Sequence, residues 1–483
     1  MPLITRFHTL RIVAAIAVIG LIAVAGWQLA SGDGHSGAET ASGGDVRIAA
    51  RALVDGSTEV ALQRRAGDGW GEYISPEARF LQPGAQLGRW RHSTPIALSE
   101  AATSVEPLKI ALIQTVGGTA HERRNSFKLA IQHINAAGGV LGQPVVGVIA
   151  DINFDTDFAV AVARRLVEEE GVHAIVGPNT SAASVAVIER VIEPFGIPTI
   201  SPSATAPALA DADDGDFFFR AVPSDSALGP VLAQLAREHG HEHVGVIYRD
   251  DAWGRGLLDA FRDAWDGGLN AAAIAVDAES CADELRTIAA AEADALVLFT
   301  FRDGSTLCVG QAVELGLFDR FLFGDTDQSP ALIRSLGPDI LAGMVGTAAA
   351  DNPDNPSARF WERAYAEAWG APEHTSLTYV RAVYDATVAL ALAAQRAQST
   401  DGAAIRDHLR SVADGDGPVF GPDQLAHALH AAERGEPFDY RGVESSLAWD
   451  ANGDITRFTI GVWRFDIDGQ IQITRRIAYD LGN

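Results

Sequence analysis

The sequence predicts an α/β protein whose body is two doubly wound lobes joined by a hinge, preceded by an N-terminal hydrophobic helix and a small β module. Three observations carry that expectation. From Lys109 onward, apolar runs of strand length alternate with amphipathic runs of helix length, the pattern of parallel sheets covered on both faces. The alternation restarts near His243, which gives a second unit of similar size. The chain has 483 residues, too many for one core.

The elements follow in order. "MPLITRFHTLR" carries Arg6 and Arg11 and precedes an uncharged apolar run, Ile12 to Ala30, which reads as an export segment. The step Ala23, Val24, Ala25 suits cleavage, and the length suits a retained span with Trp27 near its outer end. Both readings stay open for residues 1–31, and either one sends the rest of the chain out of the cytoplasm. No cysteine follows the segment to take a lipid. Residues 32–45 are a Gly/Ser-rich flexible linker. Residues 46–105 hold short alternating runs such as "VRIAARAL" and "TEVALQRR", expected to form a β-rich module acting as a spacer or lid.

Residues 106–483 form the main domain. "KIALIQTV", "PVVGVIAD", "HAIVGP" and "IPTISPS" are strands separated by helices, giving a first lobe over about 106–223 and 351–455. "HVGVIYRDD", "NAAAIAVD", "DALVLFTF" and "RFLFGD" repeat the scheme in a second lobe over about 224–350 and 456–483. Two such lobes imply a cleft, and ligands of open α/β sheets lie beyond the carboxyl ends of the strands.

Composition narrows the function. The net charge is −26, and only Lys109 and Lys128 are lysines, so a polyphosphate backbone is repelled and nucleic acid is excluded as a partner. Cys281 and Cys308, the two cysteines, either pair or stand as buried thiols. His239, His241 and His243 alternate before a strand, without the companions that a metal site needs. There is no G-x-S-x-G elbow, no G-x-x-x-x-G-K loop and no S-x-x-K, so neither an enzyme nor a cofactor is expected.

The stretch "ISPSATAPALA" leaves the strand at Ile197 to Ser201 in residues too small to pack and too polar to bury. On the ligand side of the first lobe, small residues admit a ligand to the backbone and hydroxyls donate without charge. Ser181, Ser203 and Thr205 then form a neutral donor set suited to a carboxylate, unless Ser181 and Thr205 simply cap their helices.

The landmarks "INAAGGVLGQPV", "VGPNTSAAS", "GIPTISPSATAPAL", "FFFRAVPSDSALGP", "DDAWGRG", "AVYDATVALALA" and "FDYRGVESSLAWDANGDITRFTIGVWRF" resemble, in order and spacing, the type I periplasmic binding proteins of the leucine/isoleucine/valine-binding family. The resemblance covers Glu106 to Asn483. It implies a solute-binding protein that closes two lobes on an amino-acid-like ligand and serves the permease subunits of an ABC importer. It places Ser181, Ser203, Ala204 and Thr205 on the α-carboxylate, Trp253 as the aromatic cover, Asp325 on the α-ammonium with Asp327 as rival, and Phe301 and Tyr384 along the side-chain pocket. The loop "TVGGTAHERRNS" is shorter and more charged than in relatives, and Arg302 signals an acidic ligand group if it faces the cleft. The alternative is a sensor ectodomain with the same lobes, signalling through a separate membrane receptor.

Overall fold

Strands Val46–Ala52, Thr58–Ala66, Gly69–Tyr73 and Arg91–His92 pair antiparallel in one four-stranded sheet, with Thr58–Ala66 between Gly69–Tyr73 and Val46–Ala52. The structure, a computed structural model, describes these strands, Arg79–Leu81, and residues 106–372, 378–413 and 417–482. The expected export segment and the linker at 32–45 lie outside the described residues. Among the described residues no helix is long and apolar enough to cross a membrane. Arg79–Leu81 does not belong with the small sheet: it groups with the main unit and pairs in parallel with Val146–Ile152. Three residues give too short an alternation to reveal this from sequence.

In the main unit the first sheet is entirely parallel, in the order Phe218–Arg220, Thr199–Ser201, Ala174–Val176, Lys109–Thr115, Val146–Ile152, Arg79–Leu81. Its long strands are apolar over most of their length, because helices cover both faces, and turn polar at Gln114, Thr115 and Asp151 where they reach their carboxyl ends. Along Lys109–Thr115, Ile110 and Leu112 enter a core with the helices Ala120–Ala136 and Thr378–Ala397, while Ala111 and Ile113 enter the opposite core with Thr156–Glu168 and Ser181–Val187.

The second sheet repeats the plan. Gly268–Ile274, His243–Arg249, Ala295–Phe299, Phe321–Phe323 and Val345–Ala349 are parallel neighbours in that order, and Arg457–Phe465 and Ile471–Asp480 extend the sheet antiparallel. Val246, Val297 and Phe299 face one core; Ile247, Leu296 and Leu298 face the other. Lys109–Thr115 lies between Val146–Ile152 and Ala174–Val176, and His243–Arg249 between Gly268–Ile274 and Ala295–Phe299, so each sheet has a topological switch point beside that strand.

The chain passes between the lobes three times, after Phe218–Arg220, after Val345–Ala349 and before Arg457–Phe465. Ion pairs gather there. Arg220, buried, pairs with Asp454 and donates to Ala206 O at 3.0 Å. Asp351 accepts from Arg381 of the first lobe and from Arg476 of the second, both at 3.2 Å. Cys281 and Cys308 form a disulfide that ties the end of the loop after Gly268–Ile274 to the helix Arg302–Glu314.

Candidate functional site

The two switch points face a common cavity of about 640 Å³. Its wall is built from strand ends: Thr115 to Thr119, Phe154, Asn179 to Ser181 and Ser203 from the first lobe, and Arg249, Trp253, 274–279, 300–304, 325, 326, 328 and 329 from the second. The size is that of an ordinary small-molecule site. Among the described residues no group of three or more His, Cys, Asp or Glu is placed to hold a metal ion.

In the first lobe, hydroxyls and an amide lock three loops together. Asn179 Oδ1 accepts from the Thr115 N–H at 2.6 Å, its Nδ2 donates to Thr115 Oγ1 at 3.0 Å, and Ser203 Oγ donates to Asn179 O at 2.8 Å. Ser181 Oγ accepts from the N–H groups of Thr205 and Ala206, both at 3.2 Å, which leaves its own proton for another acceptor. Neither Ser181 nor Thr205 is the cap of its helix; Thr180 and Ala206 hold those positions. Ser181 and Ser203 therefore reach the cavity wall. Ala204 and Thr205 do not: both are buried behind it, and Thr205 acts through its amide on Ser181. A loop of small side chains can sink below its neighbours, and here it does.

In the second lobe Asp251 caps the helix Ala252–Ala264, accepting from the N–H groups of Trp253 at 3.1 Å and Gly254 at 3.0 Å. Gly254 is required there, because a Cβ would lie 2.2 Å from Arg249 O. That close approach sets Trp253, 4% exposed, over the strand end, 5.1 Å from Phe301 between ring centroids. Phe154 of the first lobe reaches across to Phe301, with centroids 5.5 Å apart. The Arg249 guanidinium lies 4.6 Å from the Phe154 ring and 4.1 Å from that of Phe301. Arg302, on the lining, pairs with Asp303 at 2.9 Å.

The acidic end is deeper. Asp325 Oδ2 accepts the hydroxyl of Tyr379, and Oδ1 has no hydrogen-bond partner among the described residues. Burial pushes the Asp325 carboxyl above the ordinary range, against the hydrogen bond from Tyr379. Asp327, the rival, is fully buried beneath, accepts from Ser305 Oγ at 2.7 Å and does not line the cavity. Burial and then the charge of Asp325 push Asp225 well up as well. Burial, followed by the Asp325 charge, keeps the Tyr379 phenol protonated and donating.

Tyr384 stands elsewhere. It is fully buried in the first lobe's core, its hydroxyl 2.7 Å from His133 Nδ1, and Tyr379 of the same helix lines the cavity instead. A step of five residues turns a helix by about 140°, so the two rings leave on different sides. Sequence reasoning also passed over Phe154, Arg249 and Arg123. Arg123 is held by its own lobe, donating to Gln114 Oε1 at 3.0 Å, Thr119 Oγ1 at 2.6 Å and Thr115 O at 3.1 Å. The departure already visible in "TVGGTAHERRNS" was its signal.

Comparison with known proteins agrees with this fold. A family profile described as periplasmic binding protein matches residues 107–435. The leucine-, isoleucine-, valine-, threonine- and alanine-binding protein of Pseudomonas aeruginosa is 26% identical over 377 residues, 76% of this chain and 91% of the relative. The chemotactic signal transduction system substrate-binding protein BasB of Halobacterium salinarum is 26% identical over 350 residues, 69% of this chain and 79% of the relative. Among solved structures, the leucine-binding protein LivK of Thermotoga maritima superposes with a TM-score of 0.64 at 22% identity, covering 77% of this chain and 98% of that one. LivJ of Streptococcus pneumoniae, in complex with isoleucine, gives 0.63 at 20% identity, covering 77% and 100%. Two lobes with matching switch points, a cavity between them and a profile over most of the chain identify this protein as a member of the periplasmic binding protein family, with the type I fold.

Proposed function

We propose that this protein captures an amino acid outside the cytoplasm, closing its lobes around it, and delivers it to the permease subunits of an ABC importer. The observation that carries this reading is Asp325, a buried carboxyl with one oxygen unpartnered among the described residues, lining the cavity that Ser181 enters from the other lobe. A zwitterion removed from water needs a carboxylate for its ammonium and several donors for its carboxylate. Asp325 supplies the first; the Ser181 hydroxyl and the start of its helix supply the second. Trp253 and Phe301 cover the ligand, and Tyr379 orients Asp325. Relatives named for leucine, isoleucine and valine support the ligand class, and a branched-chain amino acid transporter substrate-binding protein shares the fold. The site binds its ligand and releases it. Residues 12–30 direct export, either cleaved or kept as a tether.

Thermal denaturation of the full chain with each of the common amino acids tests this. A ligand at a hundred times its Kd stabilises by about 2.7 kcal/mol, so at least one amino acid is expected to raise Tm clearly; no response to any of them would refute the reading. A second reading, capture for a membrane receptor that directs taxis, is favoured by BasB. Deleting the gene separates the two: loss of uptake marks the importer, loss of taxis with uptake intact marks the receptor.

A further inference from the structure

We infer that the ligand carries a second acidic group on its side chain, held by Arg249, so that the site takes an amino dicarboxylate. This deepens the proposed amino-acid capture and rests on it. Arg249 ends the strand His243–Arg249 at the second lobe's switch point, lines the cavity and is 6% exposed. Its Nε faces Asp251 Oδ2 at 2.6 Å, while Asp251 Oδ1 is taken by two amides. Among the described residues no acceptor is placed on the Nη1 and Nη2 edge, the pair of parallel donors that fits a carboxylate. The rings of Phe154 and Phe301 flank the group and keep it off its own surface.

The other cations of the wall, unlike Arg249, have acceptors on their Nη groups. Arg123 donates to three oxygens of its own lobe, and Arg302 pairs with Asp303. On the first lobe's side of the same cavity, the Val116 N–H donates to Ile152 O at 3.3 Å, and the loop 116–119 lines the wall together with Phe154. Gly117 and Gly118, at φ of +83° and +52°, turn there into the helix Ala120–Ala136, and their amides have no acceptor among the described residues. An apolar side chain closed against this edge would strand a desolvated guanidinium; a carboxylate satisfies it. Asp277, Glu279 and Asp303 do not reverse the balance, because all three are exposed at the rim. The cations Arg123 and Arg249 and the acids Asp251 and Asp325 balance on the wall, so the match to a side-chain carboxylate lies in the open Nη edge of Arg249 and not in a surplus of positive charge.

Isothermal titration of the full chain with L-leucine, L-aspartate, L-glutamate and L-2-aminoadipate tests the inference. At least one of the three acids is expected to bind roughly tenfold or more tightly than leucine, and Arg249→Gln to cut that selectivity by about 30-fold, the scale of losing one buried charge partner. Leucine binding with every acid weaker overturns the inference and leaves the proposed function standing. Failure of all four, together with silence across the amino-acid thermal screen, overturns both. Tight binding of an acid that Arg249→Gln does not alter overturns the assignment to Arg249. If Arg249→Gln does not fold, Arg249→Lys decides: it keeps the charge but loses the paired donors, and an unchanged selectivity contradicts the geometry.

Discussion

Replacing Asp325 by asparagine removes one charge and almost no volume, and the structure gives the two consequences opposite signs. The carboxyl is 6% exposed, and its pKa is raised by burial. Its charge also pushes up Asp225 and Asp327, so the empty protein gains nothing from ionising it. The oxygen of the substituted amide can still accept from Tyr379, so the stability of the empty form should hold or rise. Ligand binding should fall sharply. Truncating one partner of a buried charge pair costs about 2–5 kcal/mol, which is about 30-fold to a few thousand-fold in Kd at about 1.4 kcal/mol per decade. Calorimetric Tm of the free protein and titration with the best amino acid read the two effects separately. The proton linkage has a definite sign. A folded pKa above the unfolded one means that Asp325 favours the empty fold at low pH and loses that contribution as pH rises through the folded value. An ammonium ligand needs the ionised form, so affinity should weaken as pH falls, starting above the ordinary carboxylate range near about 4, and Asp325→Asn should flatten that dependence. Equal affinity in the variant, or affinity and stability lost together, would refute the reasoning.

Three further outcomes are expected. Phe154→Ala removes the first lobe's half of the contact with Phe301 and Arg249; an aromatic pair is worth about 0.5–1.5 kcal/mol and a cation–π contact about 0.5–2, so stopped-flow fluorescence should show ligand release accelerated by about 5-fold to a few hundred-fold with little change in Tm. The double variant Cys281→Ser, Cys308→Ser opens a loop with a separation of 27 residues, for which chain entropy predicts a loss of about 3–4 kcal/mol in denaturant unfolding; because that bond braces the wall at 275–279 and 301–307, ligand affinity should fall too. Asp454→Ala leaves Arg220 buried without its carboxylate, and loss of about 3–5 kcal/mol should appear as a lower Tm; an unchanged Tm would mean the pair contributes nothing at the hinge.

Much of this molecule is written in hydrophobic periodicity. The parallel strands are continuous apolar runs because both faces are covered, and their alternation with helices reveals two repeats of one plan. Strand ends then point to the cavity, which is why Ser181 and Ser203 could be picked out by position, whereas Trp253, Phe301 and Asp325 followed only from the family resemblance; all five line it. Where periodicity fails, so does inference. The helix Thr378–Ala397 is buried on every side from Val380 to Gln395, so no polar face marks which tyrosine looks into the cleft. Phe154 and Arg249 meet only across the lobes, and no local pattern encodes a contact between residues 95 positions apart. Thr205 shows the opposite limit: a hydroxyl in a ligand-side loop reads as a donor, yet its amide is what the neighbouring serine uses.

The central claim is that the cleft holds a zwitterion with its ammonium on Asp325. A crystal structure of the full chain with the tightest-binding amino acid tests it most directly. The claim predicts the ligand nitrogen within about 2.7–3.2 Å of an Asp325 oxygen and its α-carboxylate at Ser181. A ligand seated outside the 640 Å³ cavity, or turned so that its ammonium meets solvent, would contradict it.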